Sequence, residues 1–345
     1  MKTVYIGLDV GSSTCVARVL DGSGKVIHRS EFETGERNLI EAIQEIPGNA
    51  IVHLEASELA GWIREILMRE KGRVQRVIVS DPKANSLISK DPNKSDESDA
   101  YNLADLARMG RFKEVYYPDD RGRAEFKMLV QHHARLGVQS VRVQHHIKSC
   151  LRRLGVIIKD RKLFSEEGRV PVLNQVASEI PHKILREHYA IRDCILKQRK
   201  EALRLIRRES KKYPEIALLS EIPGVKCVLA SRFSAYVQTP FRFGSRKKLA
   251  RYSRLNIVDR TSNGKPLGYK RLERQGNGPL KDLSRKVFNA TCKRGKKENA
   301  FYRSYLKSLA TTHDEVHARL STQRKILSVM AAIWRTKQHY DDSRG

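Results

Sequence analysis

The sequence predicts an α/β layer structure at its N-terminal end, followed by a longer, basic and mostly helical part. Three observations carry this. Val4, Ile6 and Leu8 alternate with Tyr5 and Gly7, the period of a strand. Strand-like and helix-like segments then alternate as far as Ala107. Charge divides the chain as well: residues 1–125 carry 18 Lys+Arg against 21 Asp+Glu, a net of −3, whereas residues 126–345 carry 49 against 18, a net of +31. The expected organisation is an α/β domain over 1–125, a basic helical connector with dimerisation helices over 126–215, and a mostly helical domain over 216–345.

The first strand ends on Asp9, followed by Gly11. Val16, Val19 and Leu20 resume the apolar pattern, and Asp21–Gly24 make a turn before a third strand at Val26 and Ile27. Leu39, Ile40, Ile43 and Ile46 keep helical spacing until Pro47–Gly48. Ile51, Val52 and Leu54 form a strand closed by Glu55. Ser57 is expected to cap a helix carrying Leu59, Trp62, Ile63, Ile66 and Leu67. Val74–Val79 reads as a strand, and Ala84, Leu87 and Ile88 as a helix. Another helix runs through Ala100, Leu103, Ala104 and Ala107, with Asp96 and Asp99 three apart on one face.

An aspartate closing an apolar strand is costly unless it serves a cleft. Asp9, Glu55, Asp96 and Asp99 together offer one acid from each of two strand ends and two from a helical turn. Hard divalent cations need such oxygen ligands. The alternatives are a surface Glu55 and an Asp96–Asp99 pair that only complements a helix N-terminus. Ribonuclease-H-like nucleases and actin-like ATPases both begin with this strand and acid. The ATPase reading is the weaker, because Gly22 and Gly24 sit in an ordinary hairpin and Gly110 only ends a helix.

Composition excludes several classes. No run of eighteen apolar residues exists and the start of the chain lacks a signal-peptide pattern, so neither a membrane span nor secretion is expected. Five scattered cysteines fit a reducing cytosol and offer no zinc spacing. The expected location is cytoplasmic and nucleoid-associated. The basic part calls for a polyanionic partner.

Phe126 to Leu154 is helical in period. His132–His133 and His145–His146 are adjacent pairs that cannot share a helix face, and surface or nucleic-acid-facing positions are expected for them. Val176–Tyr213 reads as one long helix, expected to pair with a partner helix across a dimer, the alternative being a strut within one chain. LSEIPGVKCVLA gives a helix, a Pro-Gly turn and a helix, in the manner of helix-hairpin-helix phosphate binding or of a plain turn. Gly264, Gly268, Gly276 and Gly278 make the next stretch loop-like, and Pro279 is expected to open a helix. Lys226, Arg246, Lys247, Lys248, Arg251, Arg260, Lys265, Lys270, Arg271 and Arg274 are the expected nucleic-acid contacts. Tyr252, Tyr269, Phe288, Phe301, Tyr302 and Tyr305 are either stacking platforms or core. Chemistry alone makes Ser262 an ordinary turn serine.

GLDVGSS, HLEAS and KSDESDA, followed by IPGVKCVLA, FRFGSRKKLARYSRL and TSNGKPLGYKRLERQGNGPLKDL, resemble the DEDD-type transposases of bacterial insertion sequences, bridge-RNA-guided serine recombinases with a RuvC-like N-terminal domain and a C-terminal transposase domain. The resemblance implies that Asp9, Glu55, Asp96 and Asp99 are catalytic and bind Mg²⁺, and that Ser262 forms a phosphoserine link to DNA. It also implies a homodimer or homotetramer acting on double-stranded donor and target DNA with a structured non-coding guide RNA, and a site composed from two subunits. Ser12, Ser13 and Thr14 stand where that family usually has a lysine, and Asn263 and Lys226 where it has glycines. A Holliday-junction resolvase-like nuclease using water in place of serine, and a non-catalytic RNA-binding protein, are the rival readings.

Overall fold

The computed structural model describes residues 2–82, 95–118, 120–158, 161–262, 265–293 and 298–343, with backbone alone at 161 and 259–270. They form two compact units, Met1–Tyr117 and Pro118–Gly345. The helix expected through Ala84, Leu87 and Ile88 lies outside the described residues.

The first unit is built on five strands: β1 (Thr3–Val10), β2 (Thr14–Leu20), β3 (Val26–Glu33), β4 (Asn49–Glu55) and β5 (Val74–Ser80), in the order β3-β2-β1-β4-β5. β1 is antiparallel to β2 and parallel to β4, and β4 is parallel to β5. Strand alternation separates two faces. Val4, Ile6 and Leu8 share a core with Val52 and Leu54, with Leu39 and Ile43 of α1 (Glu36–Gln44), and with Ile63 and Ile66 of α2 (Ala60–Leu67). Helix α3 (Asp96–Arg108) packs on the other face, where Gly7 lies. Ser57 does not cap α2. That helix starts three residues later with Leu59 at the cap position and no side-chain cap, its apolar face rather than its entry holding it in place.

The second unit begins with two long helices, α4 (Arg121–Arg153) and, after the short α5 (Glu166–Asn174), α6 (Glu179–Glu209). They run antiparallel. Ile206 meets the core of Phe126 and Val130 at one end, Leu185 and Tyr189 join Ile147 and Leu151 at the other, and Arg199 faces Gly137 between them. Within the chain, α6 thus packs along α4. Pro181 falls in the first turn of α6, where its missing N–H costs nothing.

Helices α7 (Pro214–Ser220), α8 (Cys227–Val237), α9 (Arg246–Tyr252), α10 (Gly278–Phe288), α11 (Ala300–Thr312) and α12 (Glu315–Thr336) enclose a core around Phe233, Phe288, Phe301 and Met330. Pro279 opens α10 behind the Asn277 cap, as its position predicts. Gly224, at φ +75°, turns the chain between α7 and α8, and a β-carbon there would meet Ala290 at 2.8 Å. The glycine-rich stretch is a loop only in part: Gly276, at φ +111°, lies in the turn before α10 and Gly278 begins that helix, whereas Gly268 lies within a strand. That strand, β7 (Lys265–Leu272), pairs antiparallel with β6 (Ile257–Ser262) as a hairpin. Among the described residues no helix is long and apolar enough to cross a membrane.

The seating of α3 depends on Gly7. A β-carbon there would collide with the Ala100 carbonyl oxygen and stand 2.5 Å from the Ala104 amide nitrogen. Gly7→Ala should therefore cost about 3 kcal/mol, the upper range for overpacking, seen as an earlier unfolding midpoint in denaturant. An unchanged midpoint would show that α3 can shift freely.

Candidate functional site

Asp9 and Glu55 occupy the ends of adjacent parallel strands, one step beyond the last paired residues Leu8 and Leu54. Neighbouring strands lie about 4.8 Å apart, so the two acids start from neighbouring backbone positions. The N-terminal turn of α3 supplies the other two. Ser95 caps it, accepting from the Ser98 amide at 3.2 Å, while Ser98 Oγ receives the Ser95 amide at 3.1 Å. The serines of KSDESDA thus hold the turn, leaving Asp96 and Asp99 on its surface. Burial raises the pKa of the half-buried Asp9 first, and the charges of Asp96, Asp99 and Glu55 raise it further, against the Val10 amide. Asp96, Asp99 and Glu55 are thus near enough to Asp9 for their charges to act on it.

Two groups that the sequence reading missed hold this arrangement. His53 is fully buried on β4, opposite Gly7 in register. Its Nδ1 lies 2.7 Å from the Leu103 carbonyl of α3, and its Nε2 lies 2.8 Å from Ser80 Oγ of β5. Burial holds its pKa below the ordinary value, so it serves as a neutral cross-tie. Arg18, also opposite Gly7 and 6% exposed, pairs at 2.7 Å with Glu97, the acid between Asp96 and Asp99. Arg18 lowers the Glu97 pKa, first by its hydrogen bond and then by its charge. Glu97 is thus a structural acid beside two that face the site. The spacing of Arg18 from Asp9 was visible, but nothing local marked it as buried.

In the second unit, Ser262 ends β6 and pairs with Lys265, which opens β7; the register slips between Asp259 and Thr261. The side chains of Arg260, Ser262, Lys265 and Lys270 lie outside the described residues, as does the expected turn at Asn263.

A family model described as Transposase, of the DEDD type of IS110 elements, matches residues 6–155. A second, described as Transposase IS116/IS110/IS902 family, matches residues 216–303. The chain belongs to this transposase family. It is accordingly a DNA-transposing recombinase with DNA as substrate. No curated protein matches the chain at a significant level.

The transposase's carboxylates suit a hard divalent cation. Their donors are all oxygen, and among the described residues no lysine or arginine pairs with Asp9, Asp96 or Asp99. Among the described residues no three acids, imidazoles or thiolates are gathered closely enough to hold a metal ion as they stand. The charge excess at Asp9 is what a cation would relieve.

Of the expected nucleic-acid contacts, α9 gathers Arg246, Lys247, Lys248 and Arg251, all exposed, behind a Ser245 cap. Arg251 bonds Glu273 at 3.1 Å, tying α9 to the end of the hairpin beside Arg271 and Arg274. Lys226 is exposed at the cap of α8, a separate element. Phe288 and Phe301 are core residues rather than stacking platforms, and Tyr252 packs on Phe243 at 5.1 Å. Against expectation, His133 is buried, because its position on α4 faces the helical core.

Asp9 should betray its surroundings in stability. Its folded pKa lies above the ordinary 3.8. As pH rises through the window above 3.8, the unfolded chain releases the proton first, so stability falls. In metal-free protein, Asp9→Asn should remove that slope and raise Tm by about 1–4 °C at neutral pH. It should also reduce the stabilisation given by Mg²⁺. Calorimetry across pH, with and without Mg²⁺, checks all three effects.

Proposed function

We propose that this transposase is the RNA-guided recombinase of an insertion sequence, exchanging DNA strands through a phosphoserine intermediate. The observation that supports this most is the convergence of three further carboxylates on Asp9. Asp9, Glu55, Asp96 and Asp99 would hold Mg²⁺, which when bound polarises a scissile phosphate and stabilises the departing oxygen. Ser262 Oγ attacks phosphorus. One O–P bond forms as one P–O bond of the DNA backbone breaks, and the proton lost by serine is matched by the one the released sugar hydroxyl gains. A sugar hydroxyl of another strand reverses the step, so the bond energy is conserved through strand exchange. Sequence choice belongs to a structured guide RNA pairing with donor and target DNA, with the protein holding backbone. The enzyme works as a homodimer or homotetramer whose acids and serine come from different subunits.

Arg260 and Lys265, the basic neighbours of Ser262, are cations at neutral pH and poor proton acceptors, so activation has to come from the carboxylate cluster. A reaction quenched in denaturant should contain DNA attached to the peptide spanning Asp259–Lys265. Ser262→Ala should abolish that adduct and recombination together, while Thr261→Ala keeps both. Mixing Asp9→Asn with Ser262→Ala protein should restore activity that neither has alone. Full activity of Ser262→Ala would return the chain to the water-using nuclease reading. Protein isolated from cells without a discrete bound RNA would sink the guide.

A further inference from the structure

The second unit contains a cleft of about 1330 Å³ that none of the predicted contacts accounts for. α4 and α6 form one wall, and α8 with the start of α10 forms the other. Arg135 and Arg142 of α4, Arg199 of α6, Arg232 of α8, Arg254 and Lys286 line it. Its one lining acid is Asp282, which is already engaged by Lys286 at 2.6 Å and by Arg232 and Arg285 at 3.4 Å. Arg135, Arg142 and Arg199 are exposed and make no ion pair among the described residues.

We propose that this cleft seats the phosphate backbone of the transposase's duplex DNA substrate. The proposal rests on the family assignment alone, and stands or falls apart from the guide RNA and the phosphoserine. Three features support it. First, the positive charge is uncompensated: Arg135, Arg142 and Arg199 have no acid partner among the described residues, and the charges of Arg199 and Arg232 add to burial in lowering the pKa of His133 beside them to about 4. Second, the Arg199 side chain lies across α4 at Gly137, its guanidinium carbon 3.6 Å from where a β-carbon would stand, which carries its charge from α6 to the face of α4. Third, Asn277, Gly278 and Pro279 bring the positive end of the eleven-residue α10 to the same cleft.

Duplex rather than single-stranded nucleic acid follows from what the lining lacks. Its one phenyl or phenol ring, Tyr236, is 4% exposed, and the single exposed imidazole of His145 is no row of platforms for successive unstacked bases. Arginine forks without stacking partners suit a row of phosphates.

The test uses the full-length chain and a duplex DNA longer than the cleft, with binding followed by fluorescence anisotropy over a salt series. Arg142→Gln and Arg199→Gln remove exposed charges without a partner, so folding should persist, as checked by an unchanged Tm. The double variant should lower the slope of log K against log salt by about 2, near 0.9 for each phosphate that is no longer neutralised. Affinity should fall about tenfold or more at moderate salt. Arg142→Lys with Arg199→Lys should keep the slope, and Arg37→Gln in the first unit should change nothing. Duplex and single-stranded RNA of the same sequence form the comparison arms. An unchanged DNA slope in the Gln variant would overturn the proposal, as would a loss confined to RNA.

Discussion

The first unit depends on a contact that only a glycine permits. At Gly7 the backbone of β1 meets the backbone of α3, so the helix lies against the sheet with no side chain between them. That contact fixes how far the first turn of α3 stands from Asp9, two residues beyond Gly7 on β1. The carboxylates of Asp96 and Asp99 are brought to Asp9 by main chain geometry, which is stiffer than any side-chain packing. His53 and Arg18, both in register with Gly7, lock the same helix from β4 and β2. Three adjacent strands thus hold the helix that carries half of the acid set.

Much of this was legible before any coordinates. Alternation over Val4–Leu8 and the spacing of Ala100, Leu103 and Ala104 are strong, local signals, and the corresponding strand and helix are where those signals place them. What escaped was anything decided by a distant partner. Ser57 has the right chemistry for a cap, yet α2 begins where its apolar face meets the sheet. Arg18 looks like a surface residue until Glu97 reaches it from α3. The four glycines near residue 270 suggested a loop, although Asn263–Gly264 between two pairable segments is a familiar two-residue hairpin signature. The nearness of Asp96, Asp99 and Glu55 to Asp9 was legible because each acid ends or starts an element; His53 and Arg18 were not, because they lie inside elements and act across them.

The division of charge matches a division of labour between the units. The first places carboxylates at the ends of two central strands, β1 and β4, and at the start of α3. The second carries arginine and lysine far in excess of its acids, and several of its ion pairs, such as Arg123–Glu215 at 2.9 Å, are internal braces rather than surface decoration. Cations left over from such bracing are the ones available to a polyanion.

The antiparallel α4–α6 pair has a mechanical consequence. Its 33-residue member spans roughly 50 Å, and a separate small core of Leu163, Val172, Leu185 and Tyr189 is fastened at its far end. Two cores joined by a stiff rod behave as the ends of a caliper. Whatever meets the distal core is set apart from whatever meets the proximal one by the length of the helix pair. Removing seven residues from each helix would shorten that reach by roughly 10 Å while nearly preserving the facing of the two ends. The rod is thus a ruler, and its length is written in the number of helical turns.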